Sequence, residues 1–374
     1  MQRIFLLVAL LSVFVSARTI IGHDKTSKVR IVRRLPSELN HYQHDPDDVS
    51  LMSLTVMVGS NSEQSPDLML DLTKGDLEIL MCDDTDVPPN GQSNGCFNPR
   101  LSNTFFSLGD LGMDTIHSPF PDDVYSLPNV TFVAKKSKPG NDYLNGGESG
   151  IVGLGWPSVA KHPETYFPMK YLKHYGQNIF SLTMGVDGCE GRHYWGSECL
   201  EELQGAKPFY VPVTAQGQWQ FALLGFKFGS ISQILNAQAV VTSTKGYIGM
   251  PKKFLTQMMT TYGIQYDGLY TSYTVDCNAN LPDFDIMLQG KTVTVRPNQY
   301  IYKKEPLKNG KCVVNFEDSK AYGFGPDWYF GLPLLQAQCL TFDYDQKRIG
   351  FTKNTEYCTW CHCGGHPEEI TVSP

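Results

Sequence analysis

The feature that most constrains this chain is its punctuation. Apolar runs of four to eight residues recur along 374 residues, and turn residues interrupt almost every one, with 34 Gly and 23 Pro in all. Long helical periodicities are scarce. Runs that short, rich in β-branched and aromatic residues and bounded by turn formers, predict strands. The predicted strands are Leu51 to Val58, Leu68 to Asp71, Leu77 to Met81 and Val130 to Ala134, then Phe180 to Met184 and Ala237 to Val241. Phe284 to Leu288, Thr292 to Val295 and Gln338 to Phe351 close the series. Gln218 to Phe228 reads as two strands turning at Gly225. Pro157 to Tyr175 and Pro251 to Tyr262 are the helical candidates. A strand set followed by a helix occurs in each half, which predicts an all-β chain of two similar lobes. Hydrophobic residues at 41% supply enough apolar surface for two cores.

The ends set the compartment. Arg3, the apolar run Ile4 to Val15 and the small-residue site Val15-Ser16-Ala17 have the layout of a secretory signal peptide over 1–17. That run is too short to span a bilayer, and no later segment reaches the ~20 apolar residues a span needs. The reading is a secreted or extracellular protein, with the lysosome as the other destination. Residues 18–50 segregate their charge, Lys25 to Arg34 before Asp45 to Asp48, as a pro-segment or amino-terminal arm would. Two lobes, 51–184 and 185–353, and a Cys-rich tail, 354–374, follow. The Asn129-Val130-Thr131 sequon fits an exported glycoprotein, and a net charge of −7 offers no basic face for nucleic acid.

Ten cysteines behind a leader argue for disulfides. The tail Cys358, Cys361, Cys363 and His366 could also be read as zinc ligands, but in an exported chain bridges rank above metal, and no cofactor is implied. No His-Glu-x-x-His pattern, phosphate loop or nucleophile elbow is present.

Several blocks in colinear order resemble the pepsin family of aspartic peptidases. They are Gly150-Ile151-Val152-Gly153-Leu154-Gly155-Trp156-Pro157-Ser158, Phe209 to Val213 with Gly217 to Phe221, and Val275 to Asn278 with Leu281 to Phe284. Trp328 to Gly331, Phe342 to Tyr344 and Arg348 to Phe351 complete them. The resemblance implies a bilobal acid-protease fold, two β-barrel-like lobes with a few short helices and a central cleft. It implies a monomer that takes a peptide or protein in that cleft, and one catalytic aspartate per lobe. Two such carboxylates share a proton, so that one activates water while the other polarises the scissile carbonyl. It also places bridges at Cys82–Cys96, Cys189–Cys199 and Cys277–Cys312, leaving Cys339, Cys358, Cys361 and Cys363 for two more whose pairing stays open.

The family motif is Asp-Thr-Gly-Ser or Asp-Thr-Gly-Thr after an apolar strand. Here lobe one has Asp71-Leu72-Thr73-Lys74-Gly75 and lobe two has Thr242-Ser243-Thr244-Lys245-Gly246. Asp71 survives; Thr242 stands where the second aspartate belongs. A hydroxyl cannot share a titrating proton, although it could bond to Asp71 and hold the lobes in register. Both turns end Thr-Lys-Gly. Drift accounts for that coincidence; the sharper alternative is an anion site made by two lysines. The family's flap hairpin is also cut to a few residues between Ser102-Asn103-Thr104-Phe105 and Gly109 to Thr115. These losses point to a non-catalytic pseudopeptidase that binds a peptide or protein. The rivals are an active aspartic-type endopeptidase with an atypical site, and a structural or storage glycoprotein.

Overall fold

A computed structural model describes residues 26–29, 52–60, 64–82, 96–117, 125–136, 149–185, 191–199, 207–304, 306–321 and 325–354. The leader, most of the 18–50 arm, Cys189 and the tail cysteines Cys358, Cys361 and Cys363 lie outside these residues. Strands dominate, as the turn-punctuated sequence demands.

The first lobe is built on an eight-stranded sheet. Its order is Ser53–Thr55, Asp67–Asp71, Gly150–Gly153, Leu77–Met81, Ser126–Lys136, Leu111–His117 and Met57–Val58, with Phe106–Leu108 paired to Leu111–His117. The second lobe carries a seven-stranded sheet running from Lys291–Val295 through Phe284–Leu288, Gln220–Phe228, Ile231–Val241, Trp328–Phe330 and Ile248–Met250 to Phe316–Asp318. A four-stranded sheet flanks it. A six-stranded sheet draws on both ends of the chain: Thr26–Val29, Gly191–Trp195, Ile179–Thr183, Gln338–Asp343, Arg348–Lys353 and Phe209–Pro212. Four residues of the amino-terminal arm are thus an edge strand, Thr26 to Val29 pairing antiparallel with Tyr194 to Gly191.

Aromatic packing ties these layers together. Trp219 from the second half lies 4.6 Å from the Trp156 ring and donates its indole N–H to Leu154 O at 2.9 Å. Tyr344 donates its hydroxyl to the same carbonyl, and Phe342 stacks on Phe180. Buried indole and phenol donors that find carbonyl partners let such large side chains fill a core without orphaned polar atoms.

Several local expectations need correction. Gln338 to Phe351 holds two antiparallel strands, Gln338–Asp343 and Arg348–Lys353, and Leu51 to Val58 holds Ser53–Thr55 and Met57–Val58. The helix expected over Pro157 to Tyr175 is an α-helix only at Pro168–Tyr175, preceded by single 3-10 turns at Pro157–Val159 and Pro163–Thr165. Each proline lacks the N–H that would continue the preceding turn, so each restarts the chain. Gly176 then ends the helix at φ 73°, where a Cβ would be strained. The turn expected at Gly225 is a bulge inside one strand, Gln220–Phe228, whose register against Ile231–Val241 shifts between Leu223 and Gly225.

Candidate active site

Each lobe ends its central strand in the same backbone arrangement. Asp67–Asp71 runs parallel to Gly150–Gly153, which in turn pairs antiparallel with Leu77–Met81. In the second lobe Ile231–Val241 runs parallel to Trp328–Phe330, which pairs antiparallel with Ile248–Met250. The hydrogen bonds repeat too: Gly153 N–H donates to Asp76 O at 3.0 Å, and Gly331 N–H to Tyr247 O at 3.1 Å. A Cβ on Gly331 would sit 2.0 Å from Lys245 O, so only glycine lets these backbones approach. Asp71 and Thr242 therefore occupy corresponding positions, Asp71 as the last residue of its strand and Thr242 just after the end of its own, each following buried apolar residues.

Asp71 is 3% exposed and Thr242 is 1% exposed. Oδ1 of Asp71 accepts from Thr73 N–H at 2.8 Å and from the Thr73 hydroxyl at 2.6 Å. Thr242 repeats this contact in neutral form: its Oγ1 accepts from Thr244 N–H at 3.3 Å and lies 3.1 Å from Thr244 Oγ1. Residues 73 and 244 stand where the family motif has glycine, and both have become the hydroxyl partner of the position two before them.

The lobes meet through a residue that sequence reasoning passed over. The Ser243 hydroxyl donates to Leu70 O at 2.6 Å and accepts from Leu72 N–H at 2.9 Å. These two bonds straddle Asp71 and bring the two turns together. The bond across the lobes thus belongs to Ser243 and not, as expected, to Thr242. A side chain with both a donor and an acceptor can satisfy the N–H and C=O of one facing turn. Leu72, at the matching place in lobe one, has neither and is fully buried. That contrast was the available signal: Ser243 alone keeps a hydroxyl where the motif has threonine.

Asp76, five residues after Asp71, is a different kind of carboxylate. Burial would raise its pKa, but N–H donors from Lys161 and His162 and the Thr165 hydroxyl outweigh that and hold it below the ordinary carboxylate value. It fastens the loop that follows Trp156 to the strand end and so braces the first turn.

The lysines of the two turns differ. Lys74 and Lys245 are both partly exposed. The Lys245 ammonium donates to the Tyr247 hydroxyl at 3.0 Å and lies 5.4 Å and 5.5 Å from the ring centres of Tyr247 and Tyr329.

Three disulfides fall among the described residues. Cys82–Cys96 and Cys277–Cys312 pair as the resemblance implied. Cys199, expected to bridge to Cys189, is bonded to Cys339. The reason is the six-stranded sheet, which packs Cys199, Tyr194 and Cys339 in one buried cluster.

The family model for eukaryotic aspartyl proteases matches residues 55–354, which covers both turns. The chain belongs to the eukaryotic aspartyl protease family. Among its relatives, aspartic protease 10 of Caenorhabditis elegans is 28% identical over 282 residues, covering 70% of this chain and 65% of that protein. Aspartic protease 6 of the same organism is 27% identical over 258 residues, covering 67% and 65%. Gastricsin of Mus musculus is 25% identical over 289 residues, covering 69% and 71%. The chain therefore spans 65% of the length of each of the first two relatives. Pepsin-like folds have a cleft between their lobes that binds peptides. Among the described residues no helix is long and apolar enough to cross a membrane, and no His, Cys, Asp or Glu cluster could hold a metal ion.

Proposed function

We propose that this aspartyl-protease-family chain is a non-catalytic member that binds a peptide or protein in its interlobe cleft. One observation carries the reading: the second motif holds Thr242, whose hydroxyl is engaged with Thr244. Peptide hydrolysis by a carboxylate pair needs one ionised and one protonated partner, and a single carboxylate cannot be both. Residues that act as one unit lose most of the rate when either is removed.

The short hairpin that follows Phe105, at the place of the family's flap in the sequence, supports the same view. Phe106–Leu108 and Leu111–His117 are joined at Gly109-Asp110, so only three residues and a tight turn separate Phe105 from Leu111. A hairpin that short gives little cover for excluding water from a bound peptide. Export by the secretory route, with a leader over 1–17 removed and a glycan on Asn129, completes the proposal. Asn129 favours it by position: it is exposed, at φ 56°, where the strand bulges between Leu127 and Val130.

The test is incubation of the purified protein with an unfolded protein substrate from acid to neutral pH, with and without a pepstatin-type inhibitor. No cleavage is expected at any pH. Inhibitor-sensitive cleavage that vanishes in Asp71→Ala would establish an active enzyme with an atypical site instead.

A further inference from the structure

The first lobe's sheet is bare at one corner. Phe106–Leu108 pairs with Leu111–His117 on one side and, among the described residues, has no strand on the other. Its partner strand alternates: Gly112, Asp114 and Ile116 are buried, while Leu111, Met113 and Thr115 are half-buried. Gly112 marks the inner face, since a Cβ there would meet the rings of Phe132 and Phe105. Phe106 pairs with Met113 and Leu108 with Leu111, so these four apolar side chains share the outer face. Phe106 is 56% exposed and Leu108 47%.

Such a corner is a liability. A free strand edge offers unpaired N–H and C=O groups to any other chain, and proteins blunt it with lysine, proline or a covering element. Phe106-Ser107-Leu108 holds neither lysine nor proline, and bare apolar surface beside such an edge favours association. On the other side of Leu111–His117 runs Ser126–Lys136, where Thr131 pairs with Met113. Thr131 is the hydroxyl residue of the Asn129-Val130-Thr131 sequon. Phe106, Met113 and Thr131 thus form one row across three strands, roughly 10 Å long at the usual strand spacing. Asn129 stands two residues from the end of that row. It is exposed, with buried Val130 between it and Thr131, and its φ of 56° is a conformation that Asn accepts more readily than most residues.

We propose that an N-linked glycan on Asn129 lies across this face, covers Phe106, Leu108 and Met113, and closes the free sheet edge to other chains. The proposal rests on the glycosylation reading above and adds where the sugar lies and what it does. A pyranose ring presents an apolar face of C–H bonds and a rim of hydroxyls. The C–H face matches the Phe106 ring and the Met113 side chain, while the hydroxyls keep the outer side in water. A second copy of the chain is the rival cover. The glycan has the advantage of being tethered beside the row, so its contact is intramolecular and free of the entropy cost that a second copy meets.

The test starts from folded protein exported by eukaryotic cells and then treated with an N-glycan amidase, so that no chain has to fold without its sugar. Treatment turns Asn129 into aspartate, which the same backbone conformation accepts. Mass spectrometry reports the glycan, the dye ANS reports exposed apolar surface, and light scattering reports the mass in solution. We expect treatment to raise ANS fluorescence at least about twofold, and to let the protein self-associate at concentrations where the glycosylated form is a monomer. A double variant, Phe106→Ser with Leu108→Ser, changed only at exposed positions, should show neither response. An equal response in that variant would overturn the proposal, because the sugar would then cover some other surface. So would the absence of any rise in the wild type, which leaves the glycan itself standing. A glycosylated protein that is already dimeric, and that the double variant makes monomeric, would name a second copy as the cover and overturn the proposal too. No loss of mass on treatment would overturn both the cover and the glycoprotein reading.

Discussion

His193 allows a quantitative prediction about acid. It lies on Gly191–Trp195, fully buried, against Trp195 at 4.3 Å and Phe180 at 5.7 Å, and neither ring nitrogen has a hydrogen-bond partner. The strand on one side, Ile179–Thr183, carries no charged residue. The strand on the other, Thr26–Val29, sets Ser27 opposite His193. Burial pushes the His193 pKa from 6.5 down to about 3. Because the folded pKa lies below the unfolded one, the unfolded chain binds the proton first as pH falls. Stability from neutral His193 is therefore complete above pH 6.5 and is lost progressively down to about pH 3. Each pH unit in that window costs about 1.4 kcal/mol, so the loss is about 3 kcal/mol at pH 4.5 and on the order of 5 kcal/mol at the lower end. The assay is urea unfolding of the protein and of His193→Leu at several pH values from 7.5 to 4, followed by tryptophan fluorescence. Taking the difference between the two proteins cancels every other titrating group. The wild type should lose stability relative to His193→Leu by about that slope, starting near pH 6.5. A difference that stays flat from pH 7 to 4.5 would refute the reasoning and show that His193 finds a partner when protonated.

Three further expectations follow from contacts described above. Ser243→Ala strips the partners from Leu70 O and the buried Leu72 N–H. It should cost about 1–3 kcal/mol in urea unfolding, and Ser243→Thr should recover most of that. Replacing Cys199 and Cys339 together by Ala opens a loop closed across 140 residues. It should lower stability by about 4 kcal/mol, visible as a drop in Tm, and a fall of under 1 kcal/mol would mean that the packing of that cluster suffices without the bond. Protein exported from eukaryotic cells should shift on a gel after glycosidase treatment, and Asn129→Gln should abolish the shift.

Much of this protein was legible in its sequence because the relevant signals are local. Short turn-bounded apolar runs dictate strands, since half-buried pleats need them. Thr242 is picked out as the counterpart of Asp71 because the apolar strand before it and Gly246 after it mark the position. Cys82–Cys96 and Cys277–Cys312 span short stretches, 14 and 35 residues, and the family resemblance carried them. Prolines at 163 and 168 were also in plain view; their effect on the expected helix was a matter of weighing a broken N–H ladder against an apolar pattern.

What only the tertiary structure decided involves contacts between distant segments. Ser243 bonds the backbone 171 and 173 residues away, and Cys199 finds Cys339 across a sheet assembled from both ends of the chain. The two tyrosines near the Lys245 ammonium, Tyr247 and Tyr329, are 82 residues apart in sequence (329 − 247) and are brought together by the pairing of Gly249 with Tyr329. No window of sequence contains such pairs, because sheet pairing, not chain proximity, determines which side chains meet. The sequence alone singled out Asp71 and Thr242 as the residues at matching places in the two lobes. The folded chain decided that a serine joins the lobes there and that a lysine is held beside them.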